Sequence, residues 1–105
     1  MADIWEKCPK STEAEAVRRE AAEFLRRHKI SFTLEDVEDL IYHCPQGGED
    51  TLFDPVVQEL KGDLAVLYNF DQIFRNRLFA HVPQKSLNGL SPVRLALHLR
   101  TLRDG

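Results

Sequence analysis

The sequence predicts an all-α fold, an antiparallel bundle of four to five helices, and three observations carry that reading. Apolar residues recur at helical spacing along the chain, capping residues precede the periodic stretches, and Gly and Pro break the chain between them. At 105 residues there is room for one core, so residues 1–105 read as a single helical domain with a short N-terminal segment, 1–10. A composition that is 43% hydrophobic and 30% charged excludes a disordered tail. No apolar run approaches the roughly 18 residues of a membrane span, and the N-terminus has no apolar signal core. The expectation is therefore a soluble, cytoplasmic protein with no membrane partner. Cys8 and Cys44 are too few for a disulfide scaffold and lack the close pairing of a zinc site, so neither metal nor cofactor is expected.

The first helix starts after Pro9. Ser11 and Thr12 precede Glu13 and Glu15, and Thr12 with Glu15 has capping-box spacing. Val17, Ala21, Phe24, Leu25 and His28 follow at helical offsets, with Arg26, Arg27 and Lys29 where the helix dipole favours cations, which predicts a helix over 12–28. Thr33 caps the second, in which Leu34, Val37, Leu40 and Ile41 repeat as far as His43 and Pro45 prevents continuation. Glu35, Asp36, Glu38 and Asp39 read as a solvated face, and they exclude a DNA-reading helix here because phosphates would repel it. Residues 46–50, with Gly47 and Gly48, read as a loop. Asp54 and Pro55 read as N-cap and first residue of a short helix through Leu60, with Gly62 as its terminator and Asp63 as the next cap. Residues 64–81 are dense in apolar side chains and read as the central, most buried helix, although 64–70 alone suits a strand equally well. Pro83 ends that helix, 84–89 forms a loop, and Ser91 with Pro92 opens a last helix through about Leu102.

The net charge of −3 conceals segregation. Residues 1–30 sum to +1, residues 31–60 to −8 without one basic group, and residues 61–105 to +4. The acidic middle excludes a protein that coats nucleic acid over its whole surface. The basic C-terminal part suits local phosphate contacts, and it equally suits attraction to the acidic middle within one fold.

The chemistry concentrates in Arg75-Asn76-Arg77-Leu78-Phe79-Ala80-His81, where two guanidinium groups, a carboxamide and an imidazole interrupt an apolar helix. A guanidinium grips phosphate through a planar fork, and an imidazole titrates near neutrality, a combination suited to phosphodiester chemistry. The stretch resembles the signature of the HEPN superfamily: an arginine, a polar residue that is often asparagine, and a histidine several positions on. The resemblance implies a HEPN-like helical bundle and a metal-independent endoribonuclease or RNA-binding domain. It further implies a homodimer in which the motifs of two chains line one groove, a nucleotide or RNA ligand, a toxin or defence role, and an antitoxin or regulatory partner. Carried over by position, Arg75 holds the scissile phosphate, Asn76 orients it, and His81 transfers protons during attack by the RNA 2'-hydroxyl. Arg77 and Lys85 are auxiliary RNA contacts at most. The tyrosine that follows the histidine in one toxin subgroup is absent, since Val82 and Pro83 stand there.

Geometry adds a constraint: positions six apart on an α-helix project about 120° apart and about 9 Å along the axis. Arg75 and His81 of one chain therefore do not simply stack on one face: either the helix loosens before Pro83 and lets His81 swing, or one site draws residues from two chains. The alternative from the residues alone is a non-catalytic helical interaction module, whose acidic second helix and basic last helix bind protein partners. In that reading His81 serves the helix dipole and Arg75 lies over apolar neighbours. His28 and His98 read as boundary packing residues. Cys8-Pro9 and His43-Cys44-Pro45 are too weak a pattern for haem or metal.

Overall fold

The structure, a computed structural model, describes residues 4–45, 47–48, 51–60 and 64–104. It is all-α, with no strand among the described residues. The expected terminator Gly62 and cap Asp63 lie outside them, as do Gln46, Glu49 and Asp50 of the 46–50 loop.

Helix α1 spans Thr12–Arg27 and buries Ala14, Val17, Ala21, Phe24 and Leu25 along one stripe. Its N-cap is Ser11 rather than Thr12: the Ser11 hydroxyl accepts the Ala14 amide at 3.1 Å, which leaves Thr12 as the first helical residue. At the other end Lys29 takes the left-handed conformation, φ 53°, and the Ile30 amide reaches back to the Leu25 carbonyl. Helix α2 spans Leu34–Tyr42 behind the expected cap Thr33, which forms a full capping box: Thr33 and Asp36 each bond the other's amide.

One member of the acidic set on α2 is not a solvated residue. Glu38 is only 2% exposed, and its carboxylate receives Arg18 of α1 through Nε at 2.7 Å and Nη2 at 3.0 Å. The bidentate bond raises the pKa of Arg18 above its ordinary value against the opposing effect of burial. The guanidinium also lies 5.4 Å from the ring centre of buried Trp5, which ties the N-terminal segment to the α1–α2 pair.

Helix α3 is shorter than expected, Asp54–Val57, and Asp54 is its first helical residue instead of its cap. Phe53 holds the cap position without a side-chain bond, because its ring is drawn into the core. Just beyond α3, the Glu59 carboxylate accepts the amide and the hydroxyl of Ser31, and these bonds hold its pKa below the usual glutamate value.

Residues 64–81 form one continuous rod: α4, Leu64–Phe70; a π-helical segment, Asp71–Leu78; and α5, Phe79–His81. The ambiguous 64–70 stretch is thus helix. Phe70, Phe74, Leu78 and Val82 are fully buried at intervals of four. On an α-helix each such step drifts by about 40°. The wider i→i+5 turns of the π segment rotate less per residue and offset that drift, which keeps these side chains on the core. There Phe70 and Phe74 stack at 4.5 Å, with Phe24 and Phe53 edge-on or tilted against them at 5.6–6.2 Å.

After His81, buried Val82 and Pro83 lead into a tight loop closed by the Gln84 amide on the Leu90 carbonyl and turned by Asn88 and Gly89 at positive φ. Helix α6, Pro92–Asp104, follows with Ser91 as cap, its hydroxyl accepting the Arg94 amide at 3.1 Å. It packs on α5, and the protein is elongated, 48 × 29 × 27 Å.

Three expectations follow for stability. In dilute urea titrations Phe74→Ala should lose about 3–5 kcal/mol, since it opens a cavity in the ring cluster. Leu102→Ala on exposed α6 should stay within about 0.5 kcal/mol. Because the folded pKa of Glu59 is depressed, its contribution is present above its unfolded pKa and vanishes as pH falls through the folded value. Glu59→Gln should therefore be less stable than the parent at neutral pH, with the difference closing in acid.

Candidate functional site

The signature residues separate along the rod. Arg75 sits half-buried on the π segment, its Nε donating to Asp71 Oδ1 at 2.9 Å and its guanidinium 5.5 Å from the ring centre of Phe53. Asn76 beside it is exposed. Arg77 is exposed too and pairs with Glu20 of α1. Arg75 of the signature and the neighbouring Arg77 therefore each already hold a carboxylate, whose charge opposes a phosphate at the same guanidinium. Lys85 stands exposed on the short 3-10 turn beyond Pro83.

His81 has different surroundings. It lines a small cavity between the N-terminal segment and the start of α6, with Cys8, Ser11, Ser91, Arg94 and Leu97 among the other walls. Cys8 is buried, and its thiol donates weakly to the Ser91 hydroxyl at 3.7 Å. The cavity volume is about 50 Å³, room for a water or two and far below the several hundred Å³ that a nucleotide occupies. Arg75 does not line it. In the single chain the arginine and the histidine thus serve separate environments, as their six-residue spacing requires.

A larger open groove, about 360 Å³, runs along α1 to the start of α2 and is lined by Lys10, Glu15, Arg18, Arg19, Ala22 and Leu34. Its cations are partly committed: Arg18 to Glu38, and Lys10 to the Trp5 ring at 5.5 Å. Among the described residues no cluster of three or more His, Cys, Asp and Glu side chains is disposed to hold a metal ion. No helix among them is long and apolar enough to cross a membrane.

The remaining feature is α6. At about 100° per residue, Leu95, Leu99 and Leu102 form one stripe, and Val93 and Leu97 lie on the opposite side, toward the cavity. A helix with apolar residues on both sides normally sits inside a core. Yet Leu97, Leu99 and Leu102 are 48%, 55% and 64% exposed, and no side chain described on α6 is buried. Arg94, Arg100 and Arg103 project from the same helix, and among the described side chains no ion pair joins them to an acid. Among the described side chains the acidic middle thus makes no ion pair with α6. His98 is exposed on this helix rather than a boundary packing residue, whereas His28 packs its ring against Phe24 at 4.4 Å.

Sequence periodicity did not single out α6, because a stripe that faces solvent has the same spacing as one that faces a core. The advance signals are its basic charge, on which the interaction-module alternative names the last helix, and the apolar residues on both sides of it. Comparison with protein-family models, with curated proteins and with solved structures finds no match for this chain.

The placement of Cys8 and Cys44, both under 5% exposed, predicts their chemistry. Neither thiol should react with a thiol-specific dye in the folded protein, and both should react at once in strong urea. Rapid labelling of one native thiol would show that the N-terminal segment does not cover Cys8 or that the α2 end does not cover Cys44.

Proposed function

We propose that the protein is a helical docking module whose binding surface is α6. The observation that carries this reading is the mismatch between composition and burial on that helix. It bears leucines on both sides and three arginines that no ion pair joins to an acid among the described side chains, yet Leu97, Leu99 and Leu102 stay about half exposed or more while it packs on α5. Exposed apolar area rimmed by charge is the ordinary anatomy of a protein-binding surface, since the leucines supply area and the arginines supply orientation. A photoreactive amino acid at position 99 should give a discrete cross-linked adduct in cells expressing the full chain, and the same group at exposed position 13 should not. The adduct should weaken when Leu102→Ser is added. No adduct from position 99 sinks the reading.

The second reading is the one implied by the signature, a HEPN-like bundle acting as a metal-independent endoribonuclease or RNA-binding domain. Arg75, Asn76 and His81 would carry the chemistry, with Arg77 and Lys85 as auxiliary contacts. What favours it is that Arg75, Asn76 and Arg77 all lie on the π segment, a rare backbone form found disproportionately at functional sites. Since Arg75 and His81 of one chain occupy separate environments, this reading needs a groove shared by two chains. It predicts RNA cleavage that persists in EDTA, spares DNA, leaves a cyclic phosphate and falls by about 10²- to 10⁴-fold in His81→Ala. Cleavage that requires Mg²⁺, or an unchanged rate in His81→Ala, removes it.

A further inference from the structure

We infer that the surface α6 docks on is the outer face of α2 on a second copy of this chain, in a reciprocal two-fold pairing. The inference rests on α6 being the docking surface, and it names what covers it. Charge complementarity carries it. The outer face of α2 presents Glu35, Asp36 and Asp39 to solvent in a nine-residue helix, flanked by the half-buried side chains of Leu40 and Tyr42. The inward-facing Glu38 is already neutralised by Arg18, so the three outer carboxylates are the charge left over. Asp36 also bonds the Thr33 amide, and Asp39 has His43 at 3.6 Å as its other neighbour. On α6 the left-over charge is Arg94, Arg100 and Arg103, of opposite sign, beside the Leu95, Leu99 and Leu102 stripe.

Within one chain the match is not made among the described residues: α6 packs on α5, and no ion pair joins it to α2. Pairing α6 with α6 of another copy is disfavoured, since it sets arginines against arginines around the leucines. Laying each α6 on the other copy's α2 places cations on anions twice. It covers leucines with Leu40 and Tyr42, and it closes on itself without leaving a free end for filament growth. The lengths allow it: about 20 Å for α6 and about 14 Å for α2 at 1.5 Å per residue. Neither Arg75 nor Asn76 takes part, so this pairing is independent of the RNA reading.

Sedimentation velocity on the purified full chain tests it. A concentration-dependent species of twice the 12.1 kDa chain mass should appear at low salt and weaken toward 1 M salt, where the Debye length shrinks to about 3 Å. Leu99→Ser with Leu102→Ser should weaken dimerisation by about 10- to 100-fold, the effect expected on losing buried leucine area. Glu35→Lys with Asp39→Lys should weaken it as well, and so should Arg100→Glu with Arg103→Glu. A chain carrying all four charge reversals should recover the dimer, which excludes damage to folding as the cause of the losses. A monomer at every concentration, or a dimer that ignores the reversals, overturns the α2 partner. In that case a position-99 adduct to another protein leaves the docking reading standing, whereas no adduct at all removes both.

Discussion

Four phenylalanine rings impose the constraint on which the rest of this structure depends. Phe24 comes from α1, Phe53 from the entry to α3, and Phe70 and Phe74 from the central rod; each is buried, and each touches two or more of the others. Edge-on and stacked contacts each contribute about 0.5–1.5 kcal/mol beyond the area they bury, and their geometry fixes angles that aliphatic packing leaves loose. The cluster accounts for two local departures. Phe53 is pulled inward, so α3 starts without a side-chain cap. Phe70, Phe74 and Leu78 must stay on one side of the rod at intervals of four, so the backbone opens into π turns across Asp71–Leu78. The positions of Arg75, Asn76 and Arg77 are a by-product of that opening. They stand on the π segment because the ring cluster requires the segment to be there.

Much of the architecture was legible from residue pattern alone. The all-α class and the Thr33 and Ser91 caps follow from spacing and capping, which are local properties, whereas 64–70 suits a strand equally well by spacing and reads as helix only with its length and neighbours. The misreadings share a cause. Thr12 and Ser11 are chemically equivalent caps, and Asp54 is a better cap than Phe53 in isolation; only tertiary demand on Phe53 decides against it. Glu38 looks identical to Glu35 and Asp39 in sequence, and its burial depends on Arg18, twenty residues away, arriving over Trp5 with a fork that fits the carboxylate. The site was less legible than the fold. Spacing foretold that Arg75 and His81 of one chain would not share a face, but it did not show that Arg75 and Arg77 are each held by a carboxylate.

The distribution of charge repeats that lesson on a larger scale. Segment sums of −8 and +4 suggest one strong attraction, yet the acidic middle uses its charge piecemeal. Glu38 is spent on α1, and Glu59 on Ser31. Exposed pairs such as Arg27 with Glu23 contribute little in high dielectric, so they do not set the fold. The acids of the outer α2 face and the arginines of α6 are what remains after these local uses. Among the described residues the fold thus shows two surfaces of opposite sign with no ion pair between them.

The thermodynamics of α6 links that residue of charge to order. A thirteen-residue helix is at the edge of what holds together in water without support, because nucleation is costly and each further turn adds little. Ser91 caps its start and α5 supports its first turns, so the N-terminal half is fixed by the body. The half that carries Leu99, Arg100, Leu102 and Arg103 has these side chains exposed, and the buried core among the described residues does not include it. Its helical free energy therefore rests on intrinsic propensity alone, which favours leucine and arginine by a few tenths of a kcal/mol per residue over β-branched alternatives. A surface that covers the leucines adds to that margin by mass action, since whatever binds the helical form and not the frayed one stabilises it. Binding at α6 and the order of its last turns are for that reason one equilibrium, and the body, whose core excludes α6, is insulated from it.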